Sequence, residues 1–466
     1  MSCEDEAEKQ ATEIHQVIVV MVPFPAQGHL NQLLHLSRLI SSYNVPVHYV
    51  STAIHSRQAK LRLQGWNPLS SPNMMMIKFH EFPVPAFPSP PPKPQTAVEF
   101  PSHLLPSFYS VLHLRQPVAK LLSVLSLTTK RLVIIYDAVP SIIQDAVTIP
   151  NGEAYSFQPL SAFRISSYVW ETMGRPRGID DQIAKQVPSR ASTLTPQVME
   201  FIKTQEEHNK YSSGALFNTC RAIEAPFLDV IAKVNSKQWA IGPFNPMEVC
   251  KNSRHKCLEW LDKQVPNSVI YVSFGSTTTL SDEQIESLAV GLENSGQKFL
   301  WVLRDADRAD IFVGDGRARK LPKDYEERIQ LNGQGIIVRD WAPQLEILAH
   351  ASTGGFMSHC GWNSCLESIT MGVPLATWPM HSDQPHNALL VTVVLKVGVV
   401  VRDWMHRDDL VESSAIENAV KKLMTSGEGE EVRTRMLELC KAVKISVAEG
   451  GDSRRDIDDF IAHIRR

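Results

Sequence analysis

The sequence lacks the features that mark several large classes of protein. It has no excess of positive charge, because 47 Lys and Arg stand against 50 Asp and Glu, for a net charge of −3. It therefore has no whole-chain field that would attract nucleic acid or an anionic membrane. Its apolar runs, such as residues 17–24, are far shorter than the roughly 20 residues of a transmembrane helix. We expect neither a nucleic acid nor a membrane as a partner.

Paired cysteines are also missing. The chain has seven cysteines, which are scattered and include no Cys-x-x-Cys pair. An odd, dispersed set predicts neither a disulfide framework nor a structural metal site. Residues 1–10 are acidic and polar, whereas a secretory signal starts with basic residues and continues with an apolar stretch. These features predict a reducing, cytoplasmic location.

What the sequence does contain is a repeated alternation of β-rich runs and amphipathic helical patterns. Such alternation is typical of parallel sheets covered by helices on both faces. The first predicted strand, 17–22, is followed after Gly28 by a helix and then by a second strand at 45–50. Another predicted strand, 132–136, ends on Asp137. In open α/β sheets, residues just past the carboxyl ends of strands face the ligand crevice.

A domain boundary is predicted where this alternation breaks, near residues 241–246. New strands are then predicted at 268–274, 298–303 and 335–338. We therefore predict two facing βαβ halves, an N-terminal domain at 1–245 and a C-terminal domain at 246–445. Residues 446–466 carry an apolar stripe at helical spacing, which predicts a final helix packed back on the N-terminal domain.

The segment 341–384 has residues that suit a diphosphate. The glycines at 354–355 predict a turn, followed by a short strand and a loop that opens a helix. A helix N-terminus presents unpaired N–H groups and a partial positive charge, so it attracts anions. His359, Asn363 and Ser364 add side-chain donors for phosphate oxygens. The segment thus predicts an anion site.

Other residues of this segment suit the rest of a nucleotide sugar. Glu367 lies one turn into the helix, where a carboxylate can accept both hydroxyls of a ribose, and Trp341 can stack on a flat base. Asp383 and Gln384 can bind sugar hydroxyls, with Trp362 as an apolar wall. Each residue alone also has a purely structural interpretation, such as a core Trp or a capping Ser. Together they indicate a nucleotide-sugar site.

The segment 341–384 resembles, nearly position for position, the plant secondary product glycosyltransferase signature of UDP-sugar glycosyltransferases. This resemblance implies the GT-B fold, an α/β fold of two facing Rossmann-like domains with parallel sheets and an interdomain cleft. It also implies that the N-terminal domain binds the acceptor and the C-terminal domain the nucleotide sugar. By motif position, uracil would be bound by Trp341 and Ala342, ribose by Gln344 and Glu367, diphosphate by Ser276, His359, Asn363 and Ser364, and the sugar by Trp362, Asp383 and Gln384.

The resemblance also assigns a general base in the first domain. His29 follows Gly28 where the first strand passes to its helix, and imidazole is well matched to take a proton near neutral pH. In the family this histidine deprotonates the acceptor hydroxyl, and the aspartate at position 137 orients it. Direct displacement would invert the anomeric carbon and give a β-glycoside. The alternative is a helix-start histidine and an unrelated aspartate at a strand end.

Three runs, 19–50, 80–85 and 378–385, look most like the zeatin O-glucosyltransferase branch of this family. That likeness implies transfer of glucose from UDP-glucose to the side-chain hydroxyl of zeatin. Flavonoids or other phenols as acceptors, xylose as the transferred sugar, and a non-catalytic sugar-nucleotide-binding protein remain alternatives. A nicotinamide-dependent oxidoreductase is disfavoured, because Gly-x-Gly-x-x-Gly follows neither first strand.

We expect no metal and no cofactor besides the UDP-glucose co-substrate. Fixed donors at the helix start can meet the charge that develops on the departing diphosphate. Asp305-Ala-Asp307 resembles the Asp-x-Asp metal motif of the other large glycosyltransferase fold, but its polar surroundings predict a solvated loop. The oligomeric state stays open.

Overall fold

The computed structural model describes residues 15–62, 76–93, 100–173, 181–248, 255–313 and 320–466. The acidic segment 1–10, on which part of the predicted location depends, lies outside the described residues. Among the described residues, none of the helices is both long and apolar enough to cross a membrane.

The first half of the chain forms a seven-stranded sheet in the order β3-β2-β1-β4-β5-β6-β7. Its strands are β1 His15–Val22, β2 Val47–Thr52, β3 Ile77–Phe82, β4 Thr129–Tyr136, β5 Gly152–Gln158, β6 Ala215–Phe217 and β7 Gln238–Ala240. All neighbouring strands pair in parallel. From Val17 in β1 and from Leu132 in β4 onward, the central strands are buried on both faces and almost entirely apolar, as expected for a sheet covered by helices on each side.

The second half forms a six-stranded sheet in the order β10-β9-β8-β11-β12-β13, again with parallel pairing throughout. Its strands are β8 Val269–Ser273, β9 Lys298–Val302, β10 Gly335–Val338, β11 Thr353–Ser358, β12 Leu375–Thr377 and β13 Gly398–Val400. In both sheets the order changes direction beside the first strand, at β1 and β4 and at β8 and β11. This is the position where ligands bind in open α/β sheets.

Helices connect the strands of both sheets. In the first half the α-helices are Gln27–Ser41, Ala53–Leu61, Leu105–Ser110, Arg115–Ser126, Ala162–Thr172, Asp181–Ala184, Arg190–Thr193, Pro196–Glu206 and Arg221–Ala232. In the second half they are Lys256–Leu261, Asp282–Asn294, Tyr325–Leu331, Gln344–Leu348, Trp362–Met371, Gln384–Leu389, Ser413–Thr425, Gly427–Val447 and Asp452–Arg465.

The last helix, Asp452–Arg465, crosses back to the first sheet. Its apolar stripe is buried in the same core as the inner residues of β1 and of the helix Gln27–Ser41. Polar contacts fix its position, because Trp239 Nε1 donates to Asp459 Oδ2 at 2.8 Å and the Ala240 N–H donates to Asp456 Oδ2 at 2.8 Å. The last helix therefore packs on the first sheet, although it follows the second sheet in sequence.

The sequence prediction misplaced the start of one strand and assigned one turn wrongly. The second strand begins at Val47 and not at residue 45. Gly354 and Gly355 lie within β11 and form no turn. A Cβ at Gly354 would lie 2.3 Å from the Asn267 carbonyl oxygen, so this glycine allows close packing of backbone. The sequence therefore marked a position where glycine is required, but the reason is close packing within a strand and not a turn.

Candidate active site

The ends of both sheets open on one cleft, which contains a cavity of about 260 Å³. On one side it is lined by Gly28 and His29, which follow β1. On the other side lie the loop after β8, the loop after β11 and the start of the helix Trp362–Met371. All of the predicted site residues except Asp137 line this cavity.

A histidine and a buried aspartate form a short hydrogen bond at the carboxyl ends of β1 and β4. His29 Nδ1 lies 2.6 Å from Asp137 Oδ2. Although far apart in sequence, the two residues follow neighbouring parallel strands, β1 and β4, so they meet at one edge of the sheet. The Asp137 side chain is fully buried, while a quarter of the His29 side chain is exposed. With Nδ1 engaged, His29 Nε2 is the nitrogen left to meet a substrate.

The surroundings of His29 raise its pKa above the ordinary value of histidine. Burial alone lowers the pKa, but the negative charge and hydrogen bond of Asp137 outweigh it, and the charge of Asp383 adds to the increase. Asp383 comes from the C-terminal half, so both halves of the molecule set the electrostatics of this imidazole.

A second histidine, His359, lies between two glycines on the other side of the cleft. A Cβ at Gly275 would lie 2.5 Å from His359 Nε2, and a Cβ at Gly361 would lie 2.6 Å from the same atom. Gly275 also has a φ of +74°, a conformation that other residues rarely adopt. Burial lowers the pKa of His359 to about 4, so this imidazole is neutral near physiological pH. It can donate a hydrogen bond there without carrying charge.

The helix Trp362–Met371 begins at the cavity. No side chain caps its first turn, so its leading N–H groups are available to an anion. Asn363 Nδ2 donates to the Gly28 carbonyl at 2.8 Å, which joins the two halves beside His29. Trp362 is buried, and its Nε1 donates to the Asn218 carbonyl at 2.9 Å. The start of this helix is therefore tied to the first domain at two points.

Gln344 and Glu367, both predicted for ribose, bond to each other. Gln344 Nε2 donates to Glu367 Oε2 at 2.8 Å and to Ser364 Oγ at 3.0 Å. Burial raises the pKa of Glu367 to about 7, although the Gln344 bond acts in the opposite direction. The carboxylate is thus held at the cavity wall, in reach of a ligand hydroxyl that would favour its charged form.

Asp383 and Gln384 stand at the start of the helix Gln384–Leu389. Gln384 Oε1 accepts from the N–H groups of Met380 and His381, at 2.9 and 3.1 Å, so the carbonyl end of this amide holds its own loop. Asp383 Oδ2 accepts from Asn387 Nδ2 at 2.7 Å. Burial raises the pKa of Asp383, against the effect of that bond.

Asn387 is a site residue that the sequence did not reveal. It is fully buried, donates also to the Cys360 carbonyl at 2.9 Å and accepts from Ser161 Oγ at 2.7 Å. One amide thus connects Asp383, the loop after β11 and the first domain. Its position, three residues beyond the signature, carried no signal for this role.

Trp341 is covered on part of its ring by arginines from both halves. The Arg62 guanidinium lies 4.2 Å from the ring centre and that of Arg304 lies 5.3 Å from it. Asp307 binds both cations, accepting from Arg62 Nη2 at 2.9 Å and from Arg304 Nη2 at 2.6 Å. The predicted solvated loop at Asp305-Ala-Asp307 was therefore wrong, because the Asp307 side chain is only 8% exposed.

Among the described residues, no group of three or more His, Cys, Asp or Glu is arranged to hold a metal.

A second cavity, of about 450 Å³, lies beside the first, and His29 lines both. Asp137 lines it, together with apolar side chains of the helix Pro196–Glu206 and a polar group that includes Tyr168, Arg190 and Glu206. The His29 imidazole thus stands where two ligands could meet, one in each cavity.

Comparisons with known proteins match this chain to glycosyltransferases over nearly its whole length. A model of the glycosyltransferase N-terminal domain matches residues 15–246, and a model of UDP-glucoronosyl and UDP-glucosyl transferase matches residues 189–436. The chain is 54% identical over 459 residues to zeatin O-glucosyltransferase of Phaseolus lunatus, covering 97% of each protein. It is 52% identical over 459 residues to zeatin O-xylosyltransferase of Phaseolus vulgaris, covering 97% of this chain and 98% of that protein. The chain also resembles the crystal structure of a UGT transferase from Siraitia grosvenorii in complex with UDP. The two chains are 27% identical in sequence and superpose with a TM-score of 0.75, over 97% of this chain and 100% of the Siraitia chain.

Proposed function

The chain belongs to the UDP-glucoronosyl and UDP-glucosyl transferase family, and from that premise we propose that it transfers glucose from UDP-glucose to the side-chain hydroxyl of zeatin. The predicted family and the predicted GT-B fold with two parallel sheets are confirmed. The 54% identity to zeatin O-glucosyltransferase, over 97% of both chains, supports zeatin as the acceptor and glucose as the transferred sugar.

The observation that carries the proposal is the His29–Asp137 pair at the junction of the two cavities. An acceptor in the second cavity would bring its hydroxyl to His29 Nε2, which takes the proton as the oxygen attacks the anomeric carbon. Asp137 fixes the ring and stabilises the imidazolium that forms, as the aspartate does in a serine-protease triad. One direct displacement inverts the anomeric carbon and gives a β-glycoside.

We propose that the donor occupies the first cavity with its diphosphate at the start of the helix Trp362–Met371. The uncapped N–H groups, Ser276, Asn363, Ser364 and His359 surround that position and can meet the charge of the departing UDP. This donor set supports transfer without a metal. Uracil would stack on Trp341 beside the Ala342 backbone, ribose would bind Gln344 and Glu367, and the sugar would meet Trp362, Asp383 and Gln384.

Transfer of xylose is the second candidate, favoured by the 52% identity to zeatin O-xylosyltransferase. A transfer assay distinguishes the candidates. It tests UDP-glucose and UDP-xylose as donors against zeatin, phenols and flavonoids, with a metal chelator present, and identifies the products by mass spectrometry. We expect zeatin glucoside as the main product. Product formed only with UDP-xylose, only with phenols, or only after divalent metal is restored would contradict the respective part of the proposal.

The general base is tested with His29→Ala. The variant loses the group that takes the hydroxyl proton, so we expect transfer to fall by at least about 100-fold, the contribution typical of a positioned base. UDP binding by calorimetry should stay close to that of the wild type, since the donor contacts lie on the other half. Substantial retained transfer would reject His29 as the base. Tight UDP binding by the wild type with no product from any acceptor would favour a non-catalytic binding protein.

A further inference from the structure

The second cavity has a polar group that does not line the first cavity. The residues near the junction, which line both cavities, are Phe24, His29, Phe100, Phe108, Pro159, Leu160, Ser382 and Asp383. Tyr168, Arg190 and Glu206 line only the second cavity, next to apolar side chains such as Leu194 and Val198. A molecule that fills this cavity would therefore meet His29 with one part and the polar group with another.

Three helices build this polar group. Arg190 Nη2 donates to Glu206 Oε1 at 2.7 Å, and the Tyr168 hydroxyl donates to the same oxygen at 3.4 Å. The Arg190 guanidinium also lies over the Tyr168 ring, 4.8 Å from its centre. These residues belong to the helices Arg190–Thr193, Pro196–Glu206 and Ala162–Thr172. Contacts from three elements hold the pair in one geometry.

The pair lines the cavity and keeps unused hydrogen-bonding capacity. Within the described part of the chain, both bonds to Glu206 use Oε1, so Oε2 is left to accept from a ligand. Arg190 has five N–H donors in a planar fork, of which the bond to Glu206 uses one. The two side chains are 22% and 34% exposed, so a ligand in the cavity can reach them. The wall thus offers a donor and an acceptor side by side.

This arrangement matches a ring that carries an N–H beside an unprotonated nitrogen. Such a ring, as in a purine, donates to a carboxylate with its N–H and accepts from a guanidinium with its neighbouring nitrogen. A phenol ring has no such edge. Charged groups beside apolar side chains cost free energy unless they form hydrogen bonds. A ligand that completes the bonds of Arg190 and Glu206 therefore binds more tightly than one that leaves them unpaired.

We propose that Arg190 and Glu206 bind the nitrogen-containing ring of the acceptor and select hydroxylated purine bases over phenols. The inference rests on the proposed function, because it takes the second cavity as the acceptor site. The hydroxyl on the acceptor side chain then lies at His29, and the ring lies against Tyr168, Arg190 and Glu206. These three are positioning residues that set acceptor affinity and take no part in the proton transfer.

Calorimetry of zeatin binding in the presence of UDP tests the inference, since it needs no turnover. We expect Glu206→Gln and Arg190→Lys each to raise the Kd for zeatin about tenfold, the loss of one charge-assisted hydrogen bond. In transfer assays KM should rise with little change in kcat, and UDP binding should not change. Arg190→Lys keeps the charge and tests the planar fork if Glu206→Gln unfolds.

The matched control is Asp229→Asn, which breaks the Arg221–Asp229 pair, a 2.8 Å pair on an exposed surface. It should leave zeatin binding unchanged. Wild-type affinity in both Glu206→Gln and Arg190→Lys would overturn the inference while the proposed reaction stands. Zeatin that binds in an Arg190- and Glu206-dependent manner but is never glycosylated would overturn the proposed function alone. Absence of zeatin binding to the wild type would reject both.

Discussion

Asp137 acts on His29 from a position that solvent does not reach. Its side chain is fully buried, and the hydrogen bond to Nδ1 leaves only Nε2 of the ring for a substrate. The charge raises the pKa of His29, so the imidazole is a stronger base and a larger share of it is protonated at a given pH. At the residue scale, one carboxylate therefore controls both the orientation and the strength of the proposed base.

A pH profile with Asp137→Asn tests this coupling. The base must be neutral, so kcat/KM should rise with pH through the pKa of His29 and then level off. The asparagine removes the charge that raises this pKa, so the rise should move to lower pH while the plateau falls. Measurement of kcat/KM for zeatin across the neutral range in both proteins gives the two midpoints. A midpoint that stays in place or moves to higher pH would contradict the coupling.

The sequence predicted the positions of strands better than it predicted why particular residues occur in them. The strand before His29 and the strand before Asp137 were predicted because buried parallel strands are apolar throughout. The glycines of β11 were misassigned, because a glycine needed for close packing and a glycine needed for a turn look the same in one sequence. Only the neighbouring backbone at Asn267 distinguishes the two cases.

The last helix, Asp452–Arg465, gives a prediction at the scale of one element. Phe460 is fully buried between Tyr155 and Trp239, with ring centres 5.3 and 5.1 Å away. Phe460→Ala should lower the free energy of unfolding by about 3–5 kcal/mol, since it removes a buried ring and leaves a cavity. Urea unfolding followed by circular dichroism measures the change. Leu437→Ala, at a half-exposed position, is the control and should have an effect within about 0.5 kcal/mol.

At the scale of the whole molecule, the cleft is assembled by bonds between its two halves. Asn363 bonds to Gly28, and Asn387 bonds to Ser161. The sequence placed Asn363 at the site through its motif, but it gave no indication of Asn387 or Arg62. Such residues are recognised only when the halves are brought together, because an arginine at a helix end or an asparagine in a helix is ordinary in composition.

Asp307 provides the last prediction, because it joins Arg62 of the first half to Arg304 of the second half beside Trp341. Asp307→Asn leaves two adjacent cations without their shared carboxylate, so they should separate and release the Trp341 ring from its position. We expect the Kd for UDP, measured by calorimetry, to rise about tenfold. Glu293→Gln, which breaks the paired bonds to Arg328 on the surface, should leave it unchanged. Equal UDP affinity in wild type and Asp307→Asn would mean that this bridge holds the halves together without shaping the proposed uracil site.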